Sequence, residues 1–331
     1  MLDDRKTAIL GAVVQEYIST AQPVGSSHIA SASGIGVSSA TVRNEMAVLE
    51  QEGFLVSPHT SAGRIPTDKG YRFFVDHLAQ PGRLDAITTD QVGAFFSAAH
   101  GRLEEMLHQT SDLLTKLTHN AAVVLGPKAE AAVIRSAQLV RLSATAAAVV
   151  FVFGNGSVDN EVIEIAAITT DETLASASAH LAGRLNGQSL MAVSRLVTSG
   201  DPVVDGICDA ALEAIRAVST DEHVYVGGAS AMAASFDAVD VVRQVLHTLE
   251  QQFVVVSLVR DIVNRGMSVA IGVEHGVEPL SACSVVVAPV VVDGEHVGSV
   301  GVLGPTRMNY PQALATVDVV SQRLGRRLGE G

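Results

Sequence analysis

"SSATVRNEMAVLEQEGFL", Ser38 to Leu55, decides how the N-terminal part of this 331-residue chain is built. Val42, Met46 and Leu49 recur at i, i+4 and i+7, with Phe54 just past the end, which is the apolar stripe of one helix face. Ser38 or Ser39 can cap its start, and Gly53 can end it. The opposite face carries Ala40, Arg43, Asn44, Ala47 and Gln51. A solvated helix face usually carries long Lys and Glu side chains. A helix that enters the major groove of DNA needs small residues for close approach, Arg to pair with guanine and Asn or Gln to pair with adenine. The expected DNA-facing set on this helix is Ser39, Ala40, Thr41, Arg43, Asn44, Ala47 and Gln51. The bland alternative is a solvated helix. Glu45, Glu50 and Glu52 also disfavour DNA at its edges and C-terminal end.

The neighbouring segments give this helix a context. Ile9, Leu10, Val13, Tyr17 and Ile18 predict a first amphipathic helix, broken by Pro23, Val24 and Gly25. Ser26 caps a short second helix, SHIASAS, and Gly34 turns the chain into the third. "FLVS" and "GRIPT" then flank the turn-rich "PHTSA" as two short strands, and Thr67 caps a further helix, DKGYRFFVDHL. Three helices with a two-stranded wing is the winged helix-turn-helix pattern. The wing and the start of the next helix supply His59, Arg64, Lys69 and Arg72 for DNA, with Thr60 and Ser61 hydroxyls for phosphate contact. Over residues 1–80 the balance remains slightly acidic. Arg5, Lys6, Arg43, Arg64, Lys69 and Arg72 stand against eight Asp and Glu. Binding therefore rests on a directed patch, and two copies acting together.

Bulk properties restrict the rest. The net charge of −13 gives no general attraction to nucleic acid or anionic membrane. Apolar residues are 47% of the chain but aromatics only 4%, with no Trp, so the cores are aliphatic. Cys208 and Cys283 form no CxxC pair, which reads as a reduced protein without a disulfide framework or a Cys-based metal site. MLDDRKTAIL lacks a signal-peptide pattern. No uncharged apolar run reaches the ~18 residues of a membrane helix; Ala121 to Leu125 and Ala144 to Phe153 are far shorter. The expectation is a cytoplasmic protein with no membrane partner and no cofactor.

Gln80, Pro81 and Gly82 mark the end of the first unit. Residues 88–120 carry one long helical pattern. From Val133 the pattern turns β-rich. "AAAVVFVFGNGSVDNEVIEI" is a hairpin with an Asn-Gly turn, and "SVVVAPVVVDGEHVGSVGVLG" is another with Asp-Gly. The Ala-rich helical block at 171–222 lies between them. If both hairpins belong to one sheet, that block is an insertion. The fold class is α+β, with units at 1–80, 81–170, 171–222 and 223–331.

Other motifs stay bland. "GIGVSS" (Gly34 to Ser39) follows no strand and fails as a phosphate loop. The eleven histidines show no HxxxH pair with an acidic partner, and His275 and His296 are expected on loops. "GPTRM" around Arg307 reads as a structural turn, and Asn155-Gly-Ser157 as the hairpin turn. No nucleophile–base pair is visible, so an enzyme reading has nothing to build on.

"QPVGSSHIA", "SSATVRNEMAVLEQEGFL" and "PHTSAGRIPTDKGYRFF" together resemble the N-terminal signature of the heat-inducible transcription repressor family HrcA. "IGVEHGVEPLSACSVVVAPV" and "VGSVGVLGPTRMNY" resemble its C-terminal half. The likeness spans nearly the whole chain and is weakest at 125–225. It implies a homodimeric repressor that binds double-stranded DNA at an inverted-repeat operator upstream of chaperone genes, with the GroE chaperonin as modulator. It also implies a winged helix, a GAF-like α/β body and a dimerisation domain inserted into that body. His275 stands where the family usually has Asn, and Asn309 where Asp is common. A winged-helix regulator controlled by a small ligand in the GAF-like domain is the alternative.

Overall fold

A computed structural model describes residues 2–31, 36–59, 63–79, 84–98, 103–126, 133–154, 158–189, 193, 196–219, 224–233, 236, 239–266 and 268–329. The fold is α+β. It begins with α1 (Asp4–Thr20), α2 (Ser26–Ser31) and α3 (Ser39–Gln51). Ser38 caps α3 by accepting from the Thr41 amide. At the other end Gly53, at φ +77°, lets Phe54 N–H reach Leu49 O and Gly53 N–H reach Glu50 O, which satisfies carbonyls the helix leaves open. Val42, Met46 and Leu49 are buried, each contributing about 1.5–3 kcal/mol by leaving water.

A two-stranded antiparallel ribbon comes next, β1 (Leu55–Val56) and β2 (Ile65–Pro66). The strands are shorter than the sequence suggests. The ribbon is extended by a bridge between Val24 and Arg64, whose amides and carbonyls pair reciprocally at 2.9 Å. Gly63 allows that approach, because a Cβ there would overlap the Val24 carbonyl. Helix α4 (Asp68–His77) then starts at Thr67, whose hydroxyl accepts from Gly70 N–H.

The long helical pattern at 88–120 is two helices, α5 (Ala86–Ala98) and α6 (Leu103–Thr118). Next comes β3 (Ala121–Leu125), the first strand of a five-stranded antiparallel sheet. Chain order then departs from spatial order. β4 (Ile134–Arg141), β5 (Ala146–Phe153) and β6 (Val158–Glu164) form a separate three-stranded sheet, followed by α7 (Asp171–Leu185) and α8 (Pro202–Ser219). The chain returns at β7 (Val224–Gly227), which pairs with β3, Leu125 opposite Val224. Helices α9 (Ala229–Ala233), α10 (Val239–Glu250) and α11 (Gln252–Asn264) lead to β8 (Val269–Ile271), β9 (Cys283–Val292), β10 (Glu295–Pro305) and α12 (Tyr310–Gly329). The large sheet runs β7-β3-β10-β9-β8.

This corrects the expected division of the chain. The two hairpins are not parts of one sheet. The first, β5–β6, shares a core with α7 and α8 built from Phe151, Phe153, Leu174, Leu181, Leu212 and Ile215. The inserted unit therefore spans both the hairpin and the helical block, between β3 and β7, and not 171–222 alone. Its Asn-Gly turn at 155–157 lies outside the described residues. The Asp-Gly turn joins β9 and β10 as expected, with Asp293 at φ 51° and Gly294 at φ 86°.

Alternation along the strands fills the two faces of the large sheet. Ala122, Val124, Val286, Val300 and Val302 pack with α6, α12 and the N-terminal helices. Ala121, Val123, Leu125, Val285 and Val287 pack with α10 and α11. The N-terminal unit and the sheet body share one continuous core, in which Tyr71 of α4 lies 5.9 Å from Tyr310 of α12.

The two histidines expected on loops are elsewhere. His275 is buried in a short 3-10 turn (Gly272–His275), where Nδ1 accepts from Val277 N–H and Nε2 lies 3.1 Å from Leu280 O. His296 lies in β10.

Candidate nucleic-acid interface

The stripe of α3 that faces α1 and the ribbon is consumed by the core, so the helix presents its other side to solvent. Ser39, Ala40, Arg43, Asn44 and Gln51 are exposed there, with Thr41 and Ala47 partly exposed. Among the described residues, the side chains of Arg43 and Asn44 have no hydrogen-bond or ion-pair partner. Ser39 Oγ lies 3.4 Å from Ser26 Oγ, which holds the starts of α2 and α3 together. The Thr41 hydroxyl bonds Ser38 Oγ at 3.0 Å within the cap.

The acidic residues of α3 have partners that the sequence does not show. Glu45 is paired with Arg5 at 3.6 Å and with Lys6 at 3.9 Å, both from α1. Glu50 is paired with Arg64, whose Nε and Nη2 both lie 2.8 Å from Oε2. Two of the three carboxylates, Glu45 and Glu50, are thus paired with cations from outside the helix. No sequence spacing announces either pairing, because the partners lie on other elements.

The expected wing residues separate into different roles. His59 is exposed on the ribbon turn. Thr60 and Ser61 lie outside the described residues. Arg64 braces the ribbon against α3 and also reaches Ser57 Oγ at 3.5 Å. Lys69 folds back onto the end of α3. Its Nζ donates to Glu52 O at 2.7 Å and sits 4.3 Å over the Phe54 ring.

Arg72 requires a correction: its guanidinium is turned to the body and spent there, away from the other expected residues. Nε donates to Glu274 Oε1 at 2.9 Å, and Nη2 donates to Glu274 Oε2 and to Val269 O, the latter at 2.9 Å. Nη1 donates to Asp76 at 3.1 Å. The hydrogen bond with Glu274 holds the guanidinium above its already high ordinary value. Burial opposes ionisation of Glu274, yet the Arg72 hydrogen bond and the Ile271 amide outweigh it and keep the carboxyl below its ordinary value.

Elsewhere the chemistry is quiet. Burial pushes the Cys208 thiol up to about 11 and the Cys283 thiol up to about 12, so neither is a poised nucleophile. Among the described residues no group of His, Cys, Asp and Glu is placed to hold a metal ion, and no helix is long and apolar enough to cross a membrane.

The helix Ser39–Gln51 thus presents an exposed face with an Arg and an Asn whose side chains are unpaired, and comparison with known proteins defines the class as transcription repressors rather than enzymes. The model of the HrcA protein C-terminal domain matches residues 104–314. Heat-inducible transcription repressors HrcA from Nocardia farcinica and Pelotomaculum thermopropionicum are each 36% identical, over 99% of this chain and 97% of theirs. The one from a Nocardioides species is 35% identical over the full length of both. A crystal structure described as a hypothetical protein aligns over 100% of this chain and 99% of its own, with a TM-score of 0.70 at 23% identity, and shares the fold. The chain belongs to the heat-inducible transcription repressor HrcA family.

Proposed function

We propose that the N-terminal unit is a winged helix whose α3 reads operator bases, and that two chains act together on an inverted repeat upstream of chaperone genes. The single observation that carries this reading is the outward face of α3. Arg43 and Asn44 project from it unpaired, while Glu45 and Glu50 beside them are neutralised. The ribbon is the wing, and the five-stranded body is the GAF-like domain. Such a repressor works in the cytoplasm.

The inserted unit is the dimerisation domain in this reading, but through its sheet rather than its helices. The apolar sides of α7 and α8 are spent on the insert's own core. The opposite face of β4–β6 carries Val140, Ala148 and Val162 side by side in register, with Val140 48% and Val162 61% exposed. Sheet-to-sheet packing of two copies covers that row. Two-fold symmetry of the protein then matches an inverted repeat.

The GroE chaperonin enters as modulator for a physical reason. The cores are aliphatic, and aromatics, which contribute the largest burial per residue, are only 4% of the chain. Modest stability gives a non-binding population that refolding by a chaperonin reduces. Footprinting of the purified protein on chaperone promoters of its own genome, with and without chaperonin, tests the reading. Protection of an inverted repeat that strengthens with chaperonin supports it, and no protection sinks it.

A second reading, control by a small ligand, draws on an open cleft of about 600 Å³ between the reading unit and the body, lined by Gln15, His119, Arg307 and Asn309 among others. A thermal-shift screen with metabolites separates the two.

A further inference from the structure

We propose that Arg72 and Glu274 are positioning residues for operator binding: their fork-to-carboxylate pair fixes the angle at which the body presents the reading helix, and so the spacing between the two reading helices of a dimer. The inference rests on the repressor reading of the chain.

The contact is built from two complementary surfaces. Asp68 and Arg72 stand one turn apart on α4, on the same side. Facing them, the body presents the 3-10 turn at Gly272–His275. Asp68 Oδ2 accepts from Val273 N–H at 3.4 Å. Gly272, at φ +53°, leaves room for that carboxylate, which any Cβ would overlap. Arg72 delivers three of its hydrogen bonds to the body, two to Glu274 and one to Val269 O. Glu274 is itself held from behind. Its Oε2 accepts from Ile271 N–H at 2.8 Å, and its carbonyl accepts from Arg265 Nη1 at 3.1 Å. A bidentate Arg–carboxylate pair defines direction as well as distance, which a point-charge contact does not.

Position, rather than stability, is what the pair supplies. The side chains of Arg72 and Glu274 are each 26% exposed, and at such partly buried positions the desolvation of both charges offsets much of their attraction. Ile9, Leu10, Val42, Met46 and Leu49 under α3 belong to the apolar core that the unit shares with the body, and Arg72 and Glu274 lie outside that core, at its α4 edge. The pair also leaves the α3 face open, because the hydrogen bonds of Arg72 go to Glu274, Val269 and Asp76 and to no residue of α3. The gain from a second half-site depends on the second reader already standing where the DNA places it, and a mispositioned reader loses that gain without losing its own contacts.

The test uses the full chain and a duplex selected by the wild-type protein from a random-sequence pool. Each variant is titrated against that duplex, against one half-site, and against versions whose spacer is changed by about half a helical turn. Glu274→Gln is expected to keep half-site affinity within about twofold, to bind the full duplex at least about tenfold more weakly, and to lose discrimination between spacers. Gly272→Ala, which displaces the Asp68 carboxylate and strains the 3-10 turn while removing no charge, is expected to do the same. Unchanged full-duplex affinity and spacer discrimination in both variants overturns the proposal. So does a parallel loss on half-site and full duplex, because that places the effect in the fold or the reading face. A wild-type chain that selects no two-half-site duplex overturns the repressor reading itself, and is a different result from either.

Discussion

Arg64 and Glu50, fourteen residues apart, are joined by two contacts of 2.8 Å that tie the ribbon to the C-terminal half of the exposed helix. The sequence alone makes Arg64 a phosphate contact and Glu50 an obstacle to DNA. Joined, they offset each other: the carboxylate holds the guanidinium beside α3, and the guanidinium offsets a charge that would repel DNA in the proposed binding mode.

Removing Arg64 therefore exposes a negative charge as well as deleting a positive one. Arg64→Ala is expected to weaken binding to every DNA sequence and to reduce the slope of log affinity against log salt by more than the ~0.9 of a single phosphate contact. Adding Glu50→Gln to that variant is expected to recover part of the loss. Salt titrations of the two single variants and the double variant measure the coupling; strictly additive effects contradict the pairing.

Ser38 carries a stability prediction. Its side chain accepts from the Thr41 amide at the start of α3. Ser38→Ala is expected to cost about 1 kcal/mol of unfolding free energy, as N-cap removals commonly do. Chemical denaturation read at equilibrium decides it, and a variant as stable as wild type shows that the cap contributes nothing.

His275 gives a pH dependence with a definite sign. Desolvation lowers its pKa below the ordinary 6.5, against the opposing effect of the Leu280 carbonyl and nearby acids. The unfolded chain then takes up the proton at a higher pH than the folded one. The stabilising contribution is present above pH 6.5 and is lost as pH falls below it toward the depressed folded value. Thermal unfolding midpoints of wild type are expected to drop over that window. His275→Asn is expected to flatten the drop, since Asn does not titrate. Equal slopes in the two proteins exclude His275 as the cause.

The insert yields an assembly prediction. Val162 projects from the bare face of β4–β6, opposite Ala148 in the register. Val162→Lys places a charge on the face proposed to meet a second copy, and is expected to shift the protein from dimer to monomer in sedimentation while half-site binding survives at low salt. A Val162→Lys protein that remains dimeric moves the interface off this sheet.

The legible and illegible parts of this molecule differ in where their information lies. Helix α3 is readable because its cap, its stripe and its glycine stop are all local. The Asp293-Gly294 turn is legible for the same reason: two positive-φ positions in a row demand those residues. The sequence pattern puts the first hairpin in the wrong sheet because β5–β6 and β9–β10 carry the same alternation and the same class of turn, and strand patterns do not state their neighbours. It puts Arg72 among the DNA contacts because the partner, Glu274, stands 202 positions away. Glu45 and Glu50 read as unfavourable for DNA because the cations that neutralise them come from α1 and the ribbon. Burial of His275 results from a 3-10 turn folding under the body, which no periodicity signals.

Base reading by α3 is the central claim, and the most direct measurement is discrimination by two variants, each lacking one of its unpaired polar side chains. Arg43→Ala and Asn44→Ala are each expected to cost about 1–3 kcal/mol on the selected inverted-repeat duplex and to relax preference at one base position apiece. On scrambled duplex the Asn44 variant is expected to bind as wild type does, and the Arg43 variant nearly so. Fluorescence titration of both duplexes at one salt concentration gives the ratio. A fall in the ratio for both variants is the predicted result. Wild-type discrimination in both would show that helix Ser39–Gln51 does not read the operator.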